Sequence, residues 1–166
     1  MIDVAPYEHC VCRGMGNRLA LCDGALIFSE QGKKVRLAVK SGEEAKALVL
    51  DGCVFMDNKL KCDGLFLYRG ATKKVAMLVE LKGASEIPHA FKQLAYVRRS
   101  RPEYRQLIDQ FAADGAGQVI EKAIIVSNGI LNKPEHEALE KQYNIRVAAI
   151  LHSEATSPMP DARQYL

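Results

Sequence analysis

The stretch from Leu60 to Gly83 does most to limit what this chain can become. Two strand-like runs, 60–68 (LKCDGLFLY) and 74–82 (KVAMLVELK), flank a turn, and neither alternates apolar with polar residues. Strands buried on both faces read this way, whereas a strand with one wet face alternates. Such a hairpin needs a covering layer on each side. Yet it carries Asp63 at the start of one arm and Glu80 and Lys82 at the end of the other. A charge in a two-sided interior is costly unless something pairs with it.

The rest of the chain supplies the layers. Residues 18–28 and 33–39 read as strands joined by the turn Ser29–Gly32. Ser41-Gly-Glu-Glu44 has the form of a capping box and predicts a short helical turn. Residues 47–56 predict a strand that pairs with 60–68 around a tight turn at Asp57-Asn58. After Gly83, Ala90, Leu94 and Val97 at helical spacing predict a helix over 86–100, and a second runs from Pro102 to the breaker at Asp114–Gly117. A short buried strand at 122–128, a helix opened by Pro134 and a last strand at 145–151 complete the pattern. The predicted class is α/β, a β-meander followed by α-β-α-β in a mixed sheet flanked by helices. A chain of 166 residues reads as one domain, with a core at about 41–152, an N-terminal hairpin at 18–40 and a loose tail at 157–166. A shift of 40 aligns Cys22-Asp-Gly with Cys62-Asp-Gly and Lys33-Lys-Val with Lys73-Lys-Val, but Lys40 stands where the second copy has Glu80. Only the second hairpin holds the acidic pair.

Side chains alternate along a strand, so Glu80 and Lys82 share a face. A four-residue loop, Gly70–Lys73, places Asp63 directly across from Glu80, and opposed β-carbons in a sheet lie about 4.5–5.5 Å apart. Two carboxylates at that distance repel, and one resists ionising. A divalent cation bound by both relieves the conflict, and hard oxygen ligands favour Mg²⁺ or Mn²⁺ over zinc. Lys82, on the same face, is placed to position water and to stabilise negative charge developing on a phosphate. On a wet strand the same Glu-x-Lys would be a surface pair worth little.

Asp63, an apolar strand, a turn and an apolar strand ending Glu80-Leu81-Lys82-Gly83, then a helix bearing Gln93 in AFKQLAY, resemble the PD-(D/E)XK nuclease superfamily. Over about residues 49–97 the chain is similar to small bacterial and phage members. The resemblance implies a restriction-endonuclease-like fold and a metal-dependent endo- or exonuclease acting on nucleic acid, DNA rather than RNA. It implies Asp63 and Glu80 as ligands of Mg²⁺ or Mn²⁺ with the Leu81 carbonyl as a third, Lys82 assisting the attacking water and Gln93 orienting it. Many members carry a further acidic ligand, for which Glu43, Glu44 and Asp51 are the candidates. Cys62 stands where members often have proline. A chain this small that cuts both strands of a duplex would act as a homodimer.

The formal net charge is +3, and Lys92, Arg98, Arg99, Arg101 and Arg105 crowd into one helical region. Lys92, Arg98, Arg99 and Arg101 are the candidate phosphate-binding residues. They also carry the alternative of a non-catalytic nucleic-acid- or protein-binding module. No apolar run reaches the roughly 18 residues of a membrane span, and the first residues lack the pattern of a signal peptide. The expectation is a cytoplasmic protein without a membrane partner. An odd count of five cysteines, Cys10, Cys12, Cys22, Cys53 and Cys62, predicts reduced thiols, with Cys53 opposite Cys62 across the hairpin. A thiol-based metal or redox sensor built on Cys10, Cys12, Cys53 and Cys62 is the remaining alternative.

Overall fold

The computed structural model describes all 166 residues. The chain forms two sheets. Strands β1 (Cys22–Gly24), β2 (Ile27–Glu30) and β3 (Lys33–Arg36) make a small antiparallel sheet. The main sheet holds β4 (Glu44–Val49), β5 (Gly64–Arg69), β6 (Lys74–Lys82), β7 (Val119–Ser127) and β8 (Ala149–His152), in that spatial order. Helices α1 (Ile87–Ser100) and α2 (Pro102–Ala113) connect β6 to β7, and α3 (Lys133–Tyr143) connects β7 to β8. No helix is long and apolar enough to cross a membrane.

β4, β5 and β6 form an antiparallel meander, and β7 and β8 continue in parallel with β6. The main sheet is therefore the mixed α/β sheet that the sequence predicts. Its two faces are covered differently. Leu65, Leu67, Ala76, Leu78 and Ile125 pack against the helices, among them Phe91, Leu94, Leu107 and Phe111. The alternate residues Phe66, Met77, Val79 and Val126 pack against Phe28 and Val35 of the small sheet. Helices thus flank one face only. The two crossovers step across the sheet in the same direction, and right-handed connections of that kind put their helices on one side. The small sheet is the second layer that the β5–β6 hairpin needs.

Local signals set the helix ends. Pro88, Pro102 and Pro134 lie in first turns, where a missing N–H costs nothing. The Asn132 side chain caps α3 by accepting from the Glu135 N–H at 2.9 Å, and Asn144 ends it in the left-handed region.

Several sequence expectations fail on tertiary grounds. The strand predicted over 47–56 stops at Val49, and residues 50–63 fold back as a connection without a tight hairpin turn at Asp57-Asn58. The capping-box segment is not helical; the Glu43 carboxylate accepts from the Lys40 N–H at 2.7 Å across a turn that leads into β4. The C-terminal tail is docked: Asp161 pairs with Arg36, Arg163 forms a two-pronged ion pair with Glu43, and Ala162 is buried.

The cysteine expectation is also overturned. Disulfides join Cys10 to Cys53 and Cys12 to Cys22, leaving only Cys62 free, in the core. Cys53 consequently does not face Cys62. The bridges span 43 and 10 residues, and loop-closure entropy assigns them about 4 and about 3 kcal/mol. Disulfides belong to oxidising compartments, which counts against the cytoplasmic expectation.

Candidate active site

The β5–β6 register pairs Arg69 with Lys74 and Gly64 with Val79, closed by a four-residue loop in which the Gly70 N–H donates to the Lys73 carbonyl at 2.9 Å. One step further along, Asp63 meets Glu80. The Asp63 N–H donates to Glu80 Oε1 at 3.1 Å, and the Leu81 N–H donates to Asp63 Oδ2 at 2.8 Å. Each carboxylate is thus held by backbone from the other strand. β6 is the central strand of five, so Glu80 is only 1% exposed, and Asp63, at the sheet end, is 8% exposed.

Electrostatics follow from that burial. Glu80 is pushed well above the ordinary carboxylate range, by desolvation first and then by the neighbouring Asp63. Asp63 is raised by burial, partly offset by hydrogen bonding to Glu80 and the Leu81 N–H. Lys82 Nζ lies 3.7 Å from Glu80 Oε2, the one nearby cation opposing the upward shift. Burial thus opposes ionisation of both carboxyls at once, and Lys82 offsets only part of that effect.

Asp63 opens onto a cleft of about 300 Å³. One wall is Val49, Asp51 and Gly52; the other is Arg18–Leu21 together with Glu30 at the end of β2. Glu30 keeps a solvent-facing side, yet the cleft desolvates its carboxyl and Asp63 repels it, so its pKa is also raised. A bare glycine explains how the small sheet comes so close. A Cβ on Gly64 would sit 2.5 Å from Phe28 Cζ, so only glycine lets that ring settle over β5, bringing the end of β2 beside Asp63. Glu30 is a site residue that the sequence reading did not find, because nothing local to Ser29–Gly32 distinguishes it from a turn acid.

Of the three further acidic candidates, Asp51 lines the cleft, and its N–H donates to the Asp63 carbonyl at 3.4 Å. Glu43 and Glu44 are engaged elsewhere, with Arg163 and Arg69. Leu81 is buried in the core facing the small sheet, and its N–H is spent on Asp63. Gln93 on α1 donates through Nε2 to the Lys61 carbonyl at 2.8 Å, two residues before Asp63. Its Oε1 is buried without a donor.

The basic region behaves differently. Arg101 is 3% exposed, bonded to Asp57 by two hydrogen bonds of 2.7 and 2.9 Å and stacked over Phe55 at 4.3 Å. Arg98 and Arg105 approach Glu121, and Arg99 donates to the Tyr143 and Asn144 carbonyls at the end of α3. Lys92 is exposed. These side chains do not assemble into one open cationic face.

His9 and the Cys10 and Cys53 sulfurs lie within 4.8 Å of one another. The two sulfurs are bonded together, so no soft-metal ligand set exists in this state. No model of a known protein family, no curated protein and no solved structure matches the chain.

Proposed function

We propose that the chain is a metal-dependent phosphodiesterase acting on nucleic acid, DNA in preference to RNA, on a restriction-endonuclease-like scaffold. The observation that carries this reading is the cross-strand pair Asp63–Glu80, held in register by backbone hydrogen bonds beside Lys82, with Asp63 in the wall of a cleft and Glu80 buried behind it. The donor set fits a hard divalent cation: carboxylate oxygens that repel one another, both with raised pKa values, and no sulfur or imidazole ligand among them. Asp63 and Glu80 would hold Mg²⁺ or Mn²⁺, which when bound would supply charge neutralisation and activation of water for hydrolysis.

The remaining work falls to the chain's own residues. Asp63 is fixed by the Leu81 N–H on Oδ2, which anchors the carboxylate in the wall of the cleft. Lys82 neutralises part of the carboxylate charge in the resting protein and stabilises the negative charge that develops on the phosphate. Gln93 holds the Lys61 carbonyl and so positions the segment leading into Asp63. The Asp51 and Glu30 carboxylates widen the negative field that draws a cation in.

Purified protein incubated with single-stranded, duplex and branched DNA plus Mn²⁺ is expected to cleave at least one substrate. Glu80→Ala and Lys82→Ala should each lose at least about 100-fold in rate while keeping their far-UV circular dichroism, the loss typical of removing one group that stabilises transition-state charge. Undiminished cleavage by either variant sinks the proposal.

A further inference from the structure

A second groove, of about 410 Å³, adjoins the acidic cleft and shares Arg18 and Leu19 with it. Its other lining includes His9, Arg13, Gly16 and Asn17. The groove therefore changes sign along its length, basic at Arg13 and Arg18 and acidic at Glu30, Asp51 and Asp63. Arg69, Arg101 and Arg163 are each anchored by a carboxylate. Arg13 and Arg18 are exposed and have no carboxylate partner.

The loop that carries these two arginines is braced. The Cys12–Cys22 disulfide ties its ends together. Inside it, Asn17 Oδ1 accepts from the Arg13 N–H and Asn17 Nδ2 donates to the Arg13 carbonyl, both at 2.6 Å. Cys12 is pinned to the main sheet through its N–H and the Ala47 carbonyl at 2.8 Å. The cross-link reduces the backbone freedom lost when this loop binds, and two unpaired guanidinium groups on it suit a partner with regularly spaced anionic groups.

We infer that the disulfide-closed loop between Cys12 and Cys22 is the strand-binding track of this protein, in which Arg13 and Arg18 grip successive phosphates of a nucleic-acid strand and lead it into the Asp63 cleft. The inference rests on the hydrolase reading for its direction, but the track binds phosphates whether or not cleavage follows. It also assigns backbone binding to a loop that the composition of the chain does not single out, in place of the helical basic run.

The test is fluorescence anisotropy of a labelled oligothymidylate against the full chain in EDTA and without thiol reductant, between about 50 and 200 mM salt. Arg13→Ala combined with Arg18→Ala should weaken binding about tenfold or more and flatten the salt dependence by about 1.4 in log–log slope, two phosphate contacts at about 0.7 each. Arg13→Lys with Arg18→Lys should keep most of the binding, and Lys141→Ala on α3 should change it less than about twofold. Binding by the double alanine variant equal to that of the unaltered chain overturns the track, as does an equal loss in the double lysine variant. No metal is present, so a failure of hydrolysis leaves this result untouched. Retained cleavage with unaltered binding in the double alanine variant would remove the track alone.

Discussion

The Asp63–Glu80 pair and the Arg98–Arg105 run are both concentrations of like charge, and the fold treats them in opposite ways. Every arginine of the run has a partner: Asp57 for Arg101, a shared Glu121 for Arg98 and Arg105, and the carbonyls ending α3 for Arg99. The Arg101 guanidinium holds the Asp57 carboxyl down at about 2. The carboxyl pair is left in mutual repulsion, and desolvation pushes Glu80 up rather than down. Compensated charge serves as structure. A carboxyl pair that the backbone holds together in the interior instead resists full ionisation.

Three measurements would sharpen or break that contrast. The largest effect is expected at Arg101. Arg101→Ala removes the pair with Asp57, bonds to the Leu60 and Lys59 carbonyls and the stacking over Phe55, and should lower unfolding free energy by about 2–3 kcal/mol in urea titration. Unchanged stability together with lost DNA binding would return Arg101 to the role its sequence context suggests.

A smaller effect of opposite sign is expected at Glu80. Its pKa is raised on folding, so its contribution to stability is fully present below the ordinary value of 4.5 and is lost as pH rises through the folded value. Glu80→Gln should therefore match the unaltered chain at acid pH and exceed it in stability well above that value, seen as a Tm gap that opens with pH. Mn²⁺ should raise the Tm of the unaltered chain and not of Glu80→Gln. A gap that narrows as pH rises would show that the pair is not in conflict. The smallest effect belongs to Arg98→Ala, whose contact with Glu121 is long and partly exposed, with a change within about 0.5 kcal/mol.

The hairpin shows how far local pattern carries. The loop Gly70–Lys73 and the facing of Asp63 and Glu80 followed from counting residues along two strands, and the structure has that register. The helices opened by Pro102 and Pro134 were legible for a similar reason, since proline acts on its own turn. The cysteine pairing was not legible. Cys10 and Cys12 reach Cys53 and Cys22 only because the N-terminal segment lies along β4, where Val11 bridges Leu48. Glu30 was hidden for the same kind of reason: its place depends on Phe28 settling over Gly64 from another sheet.

By itself, then, the sequence determined the central hairpin, the positions of its two carboxylates and lysine, and the α/β alternation after Gly83, because each rests on strand or helix periodicity and on turns a few residues long. Only the tertiary structure decided which charges are neutralised, which cysteines are joined and which loop forms the second wall of the cleft. Those outcomes depend on contacts between segments far apart in the chain, and no local preference encodes how two sheets will be stacked.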